Sequence, residues 1–131
     1  MAMTKEEIYE KVQGILVEAL GVDDDEVTPE AKIEADLGAE SIDYLDILFH
    51  FEKEFGLKID QAELRPEAVL ANEEYVNDGK ITDAGMAELK KQMPFADFAT
   101  LEASRSVEDF SDIFTVQVLV NFVAAKLDEQ G

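Results

Sequence analysis

Apolar residues recur at helical spacing in three well-separated stretches, and no stretch sustains the alternation of a strand; this pattern limits the possible folds more than any other feature. The first stretch follows Thr4-Lys5-Glu6-Glu7, which reads as a capping box, and carries Ile8, Val12, Ile15, Leu16 and Ala19 up to Gly21. The second starts near Ser41 and stops at Gly56, a glycine placed to give a left-handed C-terminal cap. The third follows Thr115 as its cap. There Val116, Leu119, Val120, Val123 and Leu127 face a core, and Val118 and Phe122 widen the stripe. The spacing predicts an all-α class, a small bundle with short helices added.

The stretches between are of two kinds. From Val22 to Glu40 periodicity lapses, Asp23-Asp24-Asp25-Glu26 and Thr28-Pro29 punctuate the chain, and Val27, Ile33 and Leu37 stand as isolated apolar anchors, so a long structured loop is expected. From Leu57 to Phe114 short helical patterns, at about Gln61–Tyr75, Ala84–Gln92 and Val107–Asp112, alternate with Asn77-Asp78-Gly79, Pro94 and Ser104-Arg105-Ser106.

At 131 residues the chain falls within the usual size of one domain, and 47% hydrophobic residues can form a single core without metals or cross-links. With 31 acidic and 11 basic residues, the net charge of −20 repels nucleic acid phosphates and anionic lipid headgroups. Basic proteins are the expected partners. No apolar run approaches the ~18 residues a membrane span requires, and the first residues lack the layout of a secretory signal, so a cytoplasmic protein with no membrane insertion is expected. The sequence holds no cysteine, hence no disulfide, no thiolate metal site and no thiol nucleophile of its own.

The second helical stretch has two apolar faces. Advancing 100° per residue from Ile42, the residues Tyr44, Ile47, Leu48, Phe51 and Phe55 fall between about 140° and 240° and form a core-facing stripe. Ile42, Leu45 and Phe49 fall almost diametrically opposite, where solvent is expected. Seven carboxylates (Glu34, Asp36, Glu40, Asp43, Asp46, Glu52, Glu54) and one lysine, Lys53, lie between residues 34 and 54. Two readings stay open on periodicity alone: a docking surface made of Ile42, Leu45, Asp46, Phe49 and Glu52, or a helix that the later segment buries on both sides.

Asp36-Leu37-Gly38-Ala39-Glu40-Ser41-Ile42-Asp43 resembles the attachment motif of the acyl carrier proteins, with Glu40 where aspartate is commoner and Ile42 where leucine is commoner. The resemblance continues through Glu54-Phe55-Gly56 and resumes at Phe114-Thr115-Val116-Gln117; it covers about residues 4–60 and 106–128. It implies a four-helix bundle that is not an enzyme, with 4′-phosphopantetheine attached to Ser41 and motif neighbours Asp36, Leu37, Gly38, Glu40, Ile42 and Asp43. A phosphopantetheinyl transferase would attach the arm from coenzyme A with magnesium, and acyl groups would ride on it as thioesters. Implied partners are acyl-handling enzymes with basic patches, such as a ketosynthase, an acyltransferase or an acyl-activating enzyme, meeting a monomer in fatty acid or specialised lipid biosynthesis. The chemistry is sound from below: a serine at a helix start offers a phosphodiester unpaired backbone N–H groups and the positive end of the helix dipole. Gly38 is read as allowing close backbone approach beside it. A peptidyl or polyketide-type carrier and an unmodified acidic helical module that binds a basic partner are the alternatives, and Ser41 as a plain N-cap is the ordinary reading of such a serine.

Other constellations are weaker. His50 is the only histidine, so neither a serine–histidine triad nor a histidine metal cluster can form, and it is expected at the surface or edge of its helix. Asn77-Asp78-Gly79-Lys80-Ile81-Thr82 resembles the middle of a calcium-binding loop, but placing Gly79 sixth puts Val76 third and Gly85 twelfth and loses the essential ligands. A turn joining two short helices accounts for it, and no metal is expected. Residues 62–105 exceed what the resemblance covers; with Leu64, Val69, Leu70, Tyr75, Ile81, Met86, Leu89, Met93, Phe95, Phe98 and Leu101 they are expected to pack as a folded helical extension of the same domain. That extension would enlarge the acyl-holding interior or add a partner surface, or would merely cover part of the bundle.

Overall fold

A computed structural model describes residues 4–59 and 67–130 of the chain. Helix α1 (Lys5–Leu20) starts from the expected capping box. The Glu7 N–H donates to Thr4 Oγ1 at 3.2 Å and the Thr4 N–H donates to Glu7 Oε1 at 3.1 Å. These hydrogen bonds to Thr4 hold the Glu7 carboxyl below its ordinary pKa. Gly21 ends the helix at φ +69°, its N–H returning to the Val17 carbonyl at 3.0 Å. Helix α2 (Ser41–Phe55) likewise ends at Gly56, with φ +66°.

The loop between α1 and α2 holds one 3-10 turn, Asp24–Glu26, and buries Val27, Ile33 and Leu37 as anchors. Its backbone performs a second task. The carbonyls of Pro29 and Ala31 accept from the N–H groups of Gln117 and Val116, each at 3.0 Å, and Ile33 N–H donates to the Phe114 carbonyl at 2.9 Å. The first-turn donors of the last helix, which have no partner within a helix, are thereby satisfied by the loop. Thr115 completes the cap, its Oγ1 accepting from Val118 N–H at 3.2 Å. The Tyr9 hydroxyl donates to the Val27 carbonyl and ties the same loop to α1.

The extension is where expectation and structure part. Leu64 and the expected helical residues 61–66 lie outside the described residues, and the first element beyond them is the single turn α3 (Glu67–Leu70). The Asn77-Asp78-Gly79 stretch joins two strands, not two helices. Strand β1 (Val76–Asn77) pairs antiparallel with β2 (Lys80–Ile81), Val76 opposite Ile81 and Asn77 opposite Lys80. Asp78 (φ +53°) and Gly79 (φ +74°) both adopt the left-handed conformation that the tightest hairpin turns demand. Asp-Gly signals such a turn, but strands of two residues leave no alternation to read.

Helix α4 (Asp83–Gln92) comes next, capped by Thr82 Oγ1, which accepts from Gly85 N–H at 3.0 Å. A Cβ at Gly85 would lie 2.3 Å from the Tyr75 carbonyl oxygen and 2.9 Å from Ile81, so only glycine lets this helix sit against the hairpin. Helix α5 (Ala99–Ser104) ends at Arg105, which takes φ +59°. Arg105 then pins the hairpin from three sides. Its carbonyl accepts from Ile81 N–H at 2.6 Å, and its guanidinium reaches Asp83 at 2.9 Å and the Ile81 carbonyl at 3.3 Å. The small helix expected at Val107–Asp112 is a 3-10 segment, Val107–Ile113.

Helix α6 (Val116–Gln130) runs back along α1, which packs against both α2 and α6. Buried residues of bundle and extension form one hydrophobic cluster. Ile8, Val12, Leu16, Tyr44, Ile47, Phe51, Leu119 and Val123 come from the bundle helices, and Val69, Ile81, Met86, Leu89, Met93, Phe98 and Leu101 from the extension. Phe95 meets Phe122 of α6 edge to face at 5.1 Å, and the Phe95 carbonyl accepts from Asn121 Nδ2 at 3.3 Å. The fold is helical, as expected, with one small hairpin added. No helix among the described residues is long and apolar enough to cross a membrane.

Candidate attachment site

The motif residues lie where the loop winds into α2. The Asp36 and Leu37 N–H groups both donate to the Lys32 carbonyl, and the Asp36 carboxylate accepts from Lys32 N–H at 2.8 Å, closing a compact turn on itself. Gly38 reverses the chain with φ +75°. A Cβ there would meet no protein atom within 4 Å, so among the described residues what calls for glycine is the left-handed conformation. Leu37 and Ala39 turn inward and anchor the loop.

Ser41 is the first residue of α2, and the cap position belongs to Glu40, which is extended (φ −109°, ψ 170°). The plain N-cap reading of the serine therefore does not hold. The Asp43 carboxylate accepts from the Glu40 N–H at 2.7 Å, so the aspartate two residues after the serine steadies the helix start. Gly38, Glu40 and Ile42 around Ser41 are all exposed or half-buried at the surface, Ile42 at 71%. An exposed start of a 15-residue helix offers backbone N–H donors and the positive end of the dipole, which fits a phosphodiester at this position.

Both stripes of α2 lie where periodicity placed them. Tyr44, Ile47, Leu48 and Phe51 are buried and Phe55 partly so, whereas Leu45 and Phe49 join Ile42 in solvent at 53% and 52% exposure. No described residue of the extension covers that second face. The Lys53 ammonium sits over the Phe49 ring, 4.7 Å from its centre, and the His50 ring meets the Phe49 ring edge to face at 6.3 Å. His50 Nε2 also lies 3.6 Å from Asp46 Oδ1, at the helix edge as expected.

Sequence reasoning missed how many of the seven carboxylates hold internal bonds. Besides Asp36 and Asp43, Glu34 accepts from the Tyr44 hydroxyl at 3.2 Å, Glu52 from Ile59 N–H at 2.8 Å, and Glu54 from Lys11 Nζ at 2.5 Å. Of the five residues assigned to docking, Ile42, Leu45, Phe49 and Asp46 face solvent, and Glu52 is half-buried over the end of α2. The three-residue spacing from Glu40 to Asp43 was the available signal for one of these clamps.

A family model described as a phosphopantetheine attachment site matches residues 10–67, which span most of α1, the loop and α2. An acyl carrier protein of Thermotoga maritima is 52% identical over 61 residues, 47% of this chain and 75% of that protein. The chain belongs to the acyl carrier protein family. Acyl carrier proteins of Petrotoga mobilis (45% over 70 residues; 53% of this chain, 82% of that protein) and Rubrobacter xylanophilus (44% over 61 residues; 47% and 75%) are also similar to it. Family members carry cargo and are not enzymes. The attachment-site match ends at residue 67.

Proposed function

We propose that this acyl carrier protein bears 4′-phosphopantetheine on Ser41 and presents acyl groups, as thioesters, to the enzymes of fatty acid or specialised lipid synthesis. The observation that supports this best is the motif serine at the exposed start of α2, beside an apolar face that no other described element covers. When bound, the arm supplies the thiol that a cysteine-free chain lacks. The chain's own residues do the rest. The α2 N-terminus faces the phosphodiester with backbone donors, and Asp36 and Asp43 hold the turn and helix start in place.

Ile42, Leu45 and Phe49, with Asp46 and Glu52 beside them, would form the surface on which partner enzymes dock, their basic patches steered in by the −20 charge. Those partners are the phosphopantetheinyl transferase and acyl-handling enzymes such as a ketosynthase, an acyltransferase or an acyl-activating enzyme. A monomeric, cytoplasmic carrier, with core about 4–60 and 106–128 and extension about 62–105 acting as one domain, fits this reading.

Incubation with coenzyme A, magnesium and a broad-specificity transferase, followed by intact mass, tests the attachment. One phosphopantetheine should be gained by the native protein and none by Ser41→Ala. A native protein that gains nothing with several transferases, or a Ser41→Ala variant that gains as much, overturns it.

A further inference from the structure

Outside the attachment site the molecule carries an open cleft of about 760 Å³ between the extension and the bundle. Phe95, Ala96 and Val118 contribute apolar lining, with Pro29 and Thr115 from the loop and the start of α6. Glu30, Asp97, Asp109 and Asp112 bring four carboxylates to it. One cation, Lys32, is among the described lining residues, and its Nζ lies 3.7 Å from Asp112. The described lining therefore carries a net negative charge beside apolar side chains.

The walls are held. Phe95 is fixed by the ring of Phe122 and by Asn121 on its carbonyl, and the Asp97 carboxylate accepts from Ala99 N–H at 3.0 Å at the start of α5. Lys32 is itself held by backbone pairing with Thr115. A preformed site spares a ligand the cost of ordering it.

Charge decides among occupants. An acyl chain would leave four carboxylates facing alkyl groups, and anionic lipids or nucleic acids would be repelled. A second copy of this chain would bring another −20 charge to the contact. We propose that the cleft binds a lysine- or arginine-rich segment of a partner protein, with an aliphatic or aromatic side chain inserted between Phe95 and Val118. The cleft shares no residue with the exposed face of α2, and four of its residues, Phe95, Ala96, Asp97 and Thr100, belong to the extension. The extension thus adds a second contact, so that a partner engaging both would bind by linked weak interactions.

Amide shifts of the full chain provide the test, using a synthetic peptide of lysines around a central leucine and phenylalanine, and an all-lysine peptide of equal length. Shifts should concentrate at residues 95–100, 109–113 and 117–121, and the apolar centre should tighten binding by about fivefold or more. Thr100→Lys combined with Asp97→Asn and Asp109→Asn should weaken binding by about tenfold, whereas Asp23→Asn, Asp24→Asn and Asp25→Asn together should weaken it by less than about twofold. Matching thermal melts would show both variants folded. Equal loss in the two variants, equal binding of the two peptides, or shifts centred on Ile42, Leu45 and Phe49 overturns the proposal. So does a dimer of the protein alone that Thr100→Lys dissolves.

Discussion

The bundle and the extension are built on different terms. In the bundle, α1, α2 and α6 are long, glycines end α1 and α2, side chains help cap all three starts, and burial follows one broad face of each helix. In the extension, α3, the hairpin, α4 and α5 are short, and single residues set their shape: Asp78 and Gly79 in the turn, Gly85 against Tyr75, Arg105 across the hairpin. Long helices distribute their stability over many modest contacts, whereas short elements concentrate it at positions with no substitute. The bundle can therefore vary its surface, but the extension cannot vary its turns.

Gly85→Ala should break the contrast most visibly. Its Cβ would overlap the Tyr75 carbonyl, and we expect a loss of about 2–3 kcal/mol in urea unfolding. Protease cleavage should rise within 67–105 while phosphopantetheine transfer to the protein continues; a loss of transfer in parallel would mean that the two regions are not separable. Phe49→Ala tests the opposite property, a large exposed side chain whose removal should cost under about 0.5 kcal/mol of stability. It should lower kcat/KM of an acyl-handling enzyme for the loaded carrier by about tenfold. An unchanged kcat/KM would leave the exposed stripe of α2 without a docking role.

Arg105 allows a finer cut. Arg105→Ala removes the guanidinium and keeps a left-handed residue, so about 1–2 kcal/mol should be lost; Arg105→Gly removes the same group but relaxes the backbone and should recover about half. Equal losses would place the whole effect in the side chain. The smallest effect concerns Tyr9, whose pKa burial pushes up, with the Glu30 carboxylate adding to it. The folded state favours the neutral phenol, so its contribution is full below the ordinary tyrosine range and is lost as pH rises through the raised value. Tyr9→Phe should flatten the alkaline fall in stability by that share.

The same contrast governs what could be read beforehand. Thr4, Gly21, Gly56 and Thr115 declared the helix ends because capping chemistry is local, and the two stripes of α2 came from rotation alone. Tyr44 to Phe51 inward and Ile42, Leu45 and Phe49 outward needed no knowledge of neighbours. The hairpin was hidden because it has two residues per strand, and Gly85 because its need arises from Tyr75, in the turn before the hairpin. The bonds of Glu34, Glu52 and Glu54 were hidden for a related reason: a carboxylate's partner across the fold leaves no periodic trace. The cleft, assembled from three separated segments, is the extreme case.

Helix α6 receives its cap from the carbonyls of Pro29 and Ala31, far upstream in the chain. This bears on the order of events during folding. Helices α1 and α2 are joined by a modest loop and can meet early, whereas docking α6 closes a much longer loop that runs through the extension. Docking of the last helix should then be the slow step, and until it occurs the loop carbonyls and the α1 face that it covers stay open to solvent. A ribosome would release the first two helices long before the third arrives to complete them.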